Sequence, residues 1–200
     1  TPWSDALEGV AKHLSGCGYD VAVTRSESGV GELVGAVADE VARRRALSKS
    51  SRQDEPSLVF VLNEPERADA LLRVPDAYGT VDSPLGAKLR ELLALGPLVG
   101  VHTIIGATSL PGLRLVFDQG ALLQQCRHRV VMQVSEDDSF ALVGRNIAKN
   151  LQEDGPVPVA ALMFDNQASN VVKFKPYTLR ASDDDLVGQA RGTLLEQIAV

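Results

Sequence analysis

Two apolar runs end in residues able to bind a ligand or move a proton. Pro56-Ser57-Leu58-Val59-Phe60-Val61-Leu62 leads into Asn63-Glu64, and Gly100-Val101-His102-Thr103-Ile104-Ile105-Gly106 leads into Ala107-Thr108-Ser109. β-Branched runs with small or polar ends are how buried parallel strands deliver functional groups to the carboxyl edge of an α/β sheet. Glu64 has two readings: a base that polarises water, or a strand-end carboxylate capping a helix that starts near Arg67. A phosphate cradle of the form G-x-x-x-x-G-K-[S/T] occurs nowhere in the chain. These 200 residues are therefore not, on their own, a complete P-loop enzyme.

Cations gather in two other places. Arg43, Arg44, Arg45, Lys49 and Arg52 follow one another without an intervening acid. Such a strip can neutralise several phosphates with salt-sensitive affinity, or it is simply a solvated helix end. No aromatic residue is interleaved, so any nucleic acid would be held by its backbone and not read by sequence. Arg127 and Arg129 flank His128 ahead of an apolar run, a charged strand entry able to pair with Glu136, Asp137 and Asp138.

The remaining candidates are weaker. His13 and His102 have no partner at ligand spacing, no metal site is expected, and His102 reads as a hydrogen-bonded structural residue. Ser109, Ser135 and Ser139 lack a G-x-S-x-G elbow, which argues against a serine hydrolase. Cys17 and Cys126 have neither CxxC nor Cys/His spacing, so no disulfide scaffold or zinc site is indicated and a reduced, cytoplasmic setting is expected.

Composition agrees with an ordinary globular domain, with 44% hydrophobic and 23% charged residues. The net charge of −6 argues against a protein whose whole surface attracts phosphate. No apolar run approaches the ~18 residues that would suggest a membrane span. The chain opens on Thr1 with neither a basic n-region nor an apolar h-region, so no secretory signal is visible. The expectation is that it begins inside a longer polypeptide.

Elements able to position these residues can be placed in order. Ser4 caps a first helix carrying Val10, Ala11 and Leu14, which Gly16 and Gly18 stop. Val21–Thr24 reads as a short strand, and Gly29–Leu47 as a helix whose arginine-rich end suits the negative end of its dipole. Ser48–Glu55 reads as a loop, Arg67–Arg73 as a short helix, Val74–Pro84 as an exposed loop and Leu85–Leu95 as a helix. A helix over Leu113–Gln125 precedes a strand over Arg129–Val134, and Ser135 opens an acid-rich helix. Val159–Phe164 and Val171–Phe174 form an antiparallel pair, and Ser182–Val200 an amphipathic helix. The alternation implies a three-layer, mostly parallel α/β sheet with a terminal antiparallel hairpin and a C-terminal helix. It divides into a helix-strand-helix part over 1–55, a core over 56–180 and the final helix over 181–200.

This order, with the run ending Asn63-Glu64, the stretch Gly100–Thr108, Arg129-Val130-Val131-Met132-Gln133-Val134-Ser135-Glu136-Asp137-Asp138-Ser139 and the ending Val171–Tyr177, resembles the C-terminal portion of the FtsK/SpoIIIE/HerA group of P-loop ATPases. Those are hexameric, ATP-driven pumps of double-stranded DNA. The resemblance covers about Pro56 to Tyr177 and implies a RecA/FtsK-like half-domain. In active members the first strand ends in Asp-Glu, so Asn63 occupies a degenerate Walker B position and Glu64 that of the water-polarising acid. The second strand ends Ala-Thr-Gln-Arg-Pro in active members, which makes Ser109 an altered sensor of the γ-phosphate. Arg127 and Arg129 fall where such hexamers present a trans-acting arginine. An amide brings no negative charge to magnesium, and serine is too short to replace glutamine. The resemblance therefore implies a portion that does not hydrolyse ATP and serves DNA association or assembly, with ATP and magnesium entering only if the longer protein supplies the phosphate loop. Alternatives are a non-enzymatic interaction module of the same fold, and a part of an active pump. Duplex DNA and a homo-oligomer or a partner domain of the same chain are the implied partners.

Overall fold

A computed structural model describes residues 2–16, 18–24, 26–151 and 160–176. The chain divides into two compact units, Thr1–Arg25 with Pro176–Val200, and Ser26–Lys175. The helix expected over 182–200 lies outside the described residues.

In the first unit, α1 spans Pro2–Gly16. Its end is a Schellman closure: the Tyr19 amide donates to the Leu14 carbonyl at 3.1 Å and the Gly18 amide to that of Ser15 at 3.0 Å. Gly18 supplies the positive φ of 82° that this closure needs. The strand expected at Val21–Thr24 is not among the strands of the described residues.

The second unit begins with α2 (Glu27–Ala46), capped by the Ser26 hydroxyl, which accepts from the Gly29 amide at 3.1 Å. Its buried stripe is Val34, Val37 and Val41. A short helix, α3 (Lys49–Gln53), replaces the expected loop because the Ser48 hydroxyl caps it. Strand β1 (Leu58–Asn63) then leads to two 3-10 turns, Pro65–Arg67 and Asp69–Leu71, where a short helix was expected. Pro65 removes an amide donor and disfavours helical backbone before it, which suits short turns.

Where the sequence suggests a loop, β2 (Val74–Asp76) and β3 (Gly79–Val81) form an antiparallel hairpin. Helix α4 (Pro84–Leu95), with Ser83 as cap and proline in its first turn, crosses to β4 (Val101–Gly106). Strands β1 and β4 are parallel, from Leu58 opposite Val101 to Asn63 opposite Gly106. Phe60, Leu62 and Val101 turn inward to a core shared with Val34, Val37 and Val41 of α2 and Leu89 and Leu92 of α4.

The expected single helix after β4 is two, α5 (Leu110–Val116) and α6 (Gln119–Gln125). Phe117 buries its ring at the break, and Asp118 caps α6 by accepting from the Ala121 amide at 3.0 Å. Strand β5 (His128–Val131) is followed by α7 (Glu136–Val143), and β6 (Ala161–Asp165) and β7 (Asn170–Phe174) complete an antiparallel sheet in the order β5-β6-β7. Val131, Leu162, Val143, Ala148 and Leu151 form its own core. The Ser139 hydroxyl, fully buried, donates to the Arg145 carbonyl at 2.6 Å and accepts from the Ala148 amide at 2.9 Å. It closes the loop after α7.

The chain is thus mixed α/β, but its sheets are small. Among the described residues the parallel ladder has two strands, and β5, expected in the parallel sheet, pairs antiparallel with β6. An apolar run records that a strand is buried and says little about which neighbour it takes.

Candidate functional site

The carboxyl end of the parallel pair brings together the two runs with which the sequence opens. Asn63 and Gly106 stand opposite one another, and a Cβ on Gly106 would lie only 2.5 Å from the Asn63 Oδ1. Glycine is what allows the amide to lie across the neighbouring strand. The Glu64 amide extends the ladder by donating to the Gly106 carbonyl at 2.8 Å. Glu64 itself sits at φ 49°, ψ 55°, a left-handed conformation that costs a non-glycine residue about 1–2 kcal/mol.

That turn folds the Glu64 carboxylate inward, and Arg67 Nε meets its Oε2 at 3.0 Å. Glu64 makes no side-chain cap hydrogen bond to the following turn, so its partner is an arginine side chain and not a helix amide. Ser109 caps α5, accepting from the Gly112 amide at 3.1 Å. Glu66, which sequence reasoning passed over, lies against the same turn: a Cβ on Gly112 would be 3.0 Å from Glu66 Oε1. The structure therefore gathers Asn63, Glu64 and Ser109 at one sheet edge and occupies two of the three side chains locally.

This edge fits a magnesium nucleotide poorly. Asn63 adds no charge, the Glu64 carboxylate is shared with Arg67, and the Ser109 hydroxyl is taken by its own helix. Among the described residues no group of three His, Cys, Asp or Glu side chains is placed to hold a metal ion.

The arginines on either side of His128, at the start of β5, are engaged in the fold. Arg127 pairs with Asp165 at 3.2 Å, and this guanidinium, with the amides of Ala168 and Gln167, holds the Asp165 carboxyl down at about 2. His128 Nδ1 is 3.9 Å from the same carboxylate. Arg129 donates to the carbonyls of Leu142 (2.7 Å) and Leu123, near the C-termini of α7 and α6, and stacks 5.2 Å from the Phe164 ring centre. Neither arginine pairs with Glu136, Asp137 or Asp138; Glu136 is taken by Lys149 at 2.6 Å.

The basic strip is partly internal. Arg44 is only 3% exposed and donates to Glu40 Oε1 at 2.7 Å, the Pro56 carbonyl at 2.8 Å and the Val99 carbonyl at 3.3 Å. Arg43 bridges Glu40 and Glu55 at 2.7 and 2.8 Å, and Arg45 lies 3.9 Å from Glu91. Lys49 stays exposed on α3 and Arg52 is half-buried there. Glu40, three and four residues before the two arginines, was legible as a helical partner; Glu55, across a turn, was not.

Hydrogen bonds from Arg43 and then Arg44 hold the Glu40 carboxyl down at about 2, against 4.5 for a free glutamate. A carboxyl depressed on folding stabilises the fold above its unfolded value, and the gain fades as pH falls from 4.5 towards 2. Glu40→Gln should therefore lower stability at pH 7 and flatten its dependence across that window, as read by urea unfolding at a series of pH values. An unchanged slope would show that the pair is dispensable.

No family model, no curated protein and no solved structure matches this chain. No helix of the described residues is long and apolar enough to cross a membrane.

Proposed function

We propose that this chain is the catalytically degenerate, C-terminal portion of an FtsK/HerA-like DNA-translocase ATPase, acting in DNA association or in assembly of a larger protein. On this reading the mixed α/β unit is part of a three-layer RecA-like sheet that the rest of the protein completes. One observation carries it. Two parallel strands joined through a helix end at the same edge in Asn63-Glu64 and in Gly106 followed by Ser109, the order in which such motors place their acids and their phosphate sensor. The engaged Glu64 and Ser109 side chains support degeneracy.

The outer side of the same pair supports assembly. Val59 and Ile104 are 57% and 56% exposed and Val61 is exposed beside Ile104, whereas parallel sheets are ordinarily covered on both faces. A homo-oligomer or a partner domain of the parent chain would cover this face. DNA association rests on Lys49 and Arg52, with Arg43 and Arg45 sharing their charge with carboxylates. That sharing favours a second reading, a non-enzymatic protein-interaction module of the same fold. The reading as part of an active pump needs ATP and magnesium, and a phosphate loop elsewhere in the parent.

The deciding experiment titrates the purified chain with duplex and single-stranded DNA at low and moderate salt, with magnesium-ATP as a parallel ligand. Duplex binding with a steep salt slope and no ATP turnover is the expected result. Binding of neither ligand would overturn DNA association and leave the interaction module; turnover of ATP would overturn degeneracy.

A further inference from the structure

Most donors of one arginine in the basic strip are already taken. Arg43 Nε and Nη2 each donate to the Glu40 carboxylate at 2.7 Å, and Nη1 and Nη2 donate to that of Glu55 at 2.9 and 2.8 Å. Glu40 also accepts from Arg44 Nε at 2.7 Å, and Glu55 lies 4.0 Å from Arg44 Nη2. Two guanidiniums thus face two carboxylates, and this end of the strip has no net charge to offer a phosphate.

Exposure decides which of these contacts can open. The Arg44 side chain is 4% exposed and also donates to the Pro56 and Val99 carbonyls, so it stays. Arg43 is 49% exposed and Glu55 21%, and an ion pair open to water is weak enough to exchange. Glu55 directly follows the turn of α3 that carries Lys49 and Arg52, with its amide donating to the Arg52 carbonyl at 3.4 Å. Among the described residues Lys49 and Arg52 make no ion pair. A polyanion that neutralises these two cations therefore meets the Glu55 carboxylate in the same turn.

We infer that Glu55 is an acidic latch on the basic strip: it masks Arg43 in the free chain, and a DNA phosphate displaces it, adding Arg43 to the contacts made by Lys49 and Arg52. The inference rests on the DNA association proposed above and adds which cation is held in reserve and what holds it. Glu40 keeps the guanidinium aligned during the exchange, because it binds the Nε and Nη2 side and leaves Nη1 for the phosphate.

The test is a titration with a short duplex DNA across a series of salt concentrations. Glu55→Gln should bind several-fold more tightly at low salt. Its log-log salt slope should steepen by about one unit, since each phosphate neutralised adds roughly 0.9 and the chain no longer has a freed carboxylate that takes up a cation. Asp54→Asn removes the same charge one position away, where no arginine is released, and should change affinity less than about twofold with the slope unaltered. Adding Arg43→Gln to Glu55→Gln should abolish the gain. Equal effects of Glu55→Gln and Asp54→Asn, or a gain that survives Arg43→Gln, would overturn the latch by showing that net charge alone sets the affinity. Duplex binding that Glu55→Gln leaves unchanged would overturn the latch and leave DNA association standing, whereas no binding by the chain or any variant would overturn both.

Discussion

Arg44→Met should lower the unfolding free energy of the chain by about 3 kcal/mol, the largest effect of any single exchange of its charged residues. Methionine keeps an unbranched apolar stem of similar length, so the loss isolates the guanidinium. That group leaves behind the carbonyls of Pro56 and Val99, and Glu40 without one of its two cations. The two carbonyls lie just before β1 and β4, so Arg44 ties the end of α2 to the entry of both parallel strands. Gly100, at φ 74°, follows the second of them, and a Cβ there would sit 3.5 Å from the Arg44 Nη1. Breaking a buried charged contact typically costs 3–5 kcal/mol, and the partial exposure of Glu40 places this one at the lower end. Urea unfolding measures the loss directly. A change below about 0.5 kcal/mol, of the size usual for surface substitutions, would mean that Arg44 is a surface cation after all and would return it to the basic strip. Arg45→Ala is the contrast: its 3.9 Å pair with Glu91 is exposed on both sides and should contribute well under 1 kcal/mol.

The second large effect is at Arg129. Its guanidinium serves the carbonyls of Leu123 and Leu142, within the last turns of α6 and α7, where carbonyls have no helical partner and the dipole favours a cation. It also lies over Phe164. Burial lowers its pKa and no carboxylate among the described residues pairs with it, so carbonyls and a ring hold the charge. Arg129→Met should cost about 2–3 kcal/mol, since hydrogen bonds from a charged donor contribute about 1.5–3 kcal/mol. Arg129→Lys should recover only part, because one ammonium does not reach both helix ends in the planar fork of a guanidinium. An arginine held ready for a neighbouring subunit would behave differently: its loss would leave the isolated chain's unfolding midpoint where it was. Unfolding of the chain at low concentration separates the two roles.

The acid-rich helix after Ser135 was legible, and Ser26, Ser83 and Ser109 cap their helices in the same way, each accepting from the amide three residues on, because capping needs only neighbours in sequence. The hairpin at residues 74–81 was missed because strands of three residues carry no period to read. The break at Phe117-Asp118 was missed because the leucines and valine on either side continue a helical pattern. At the sheet edge, Asn63, Glu64 and Ser109 drew attention because they follow the two apolar runs, and Glu66 did not, since its position follows from the turn at Pro65.

By itself, then, the sequence determined local facts: that helices lie close to Gly29–Leu47, to Leu85–Leu95 and after Ser135, that the two apolar runs ending in Asn63 and Gly106 are strands, and that Asn63 cannot supply the charge of an aspartate. Only the tertiary structure decided the partners. It paired Arg127 with Asp165, buried Arg44 between two strand entries, sent Arg129 to two helix ends, turned β5 antiparallel and left Val59 and Ile104 bare. Caps and periodicity are interactions between residues a few positions apart, which sequence records. A buried cation's choice of carbonyl, or a strand's choice of neighbour, joins residues tens of positions apart and is settled by packing.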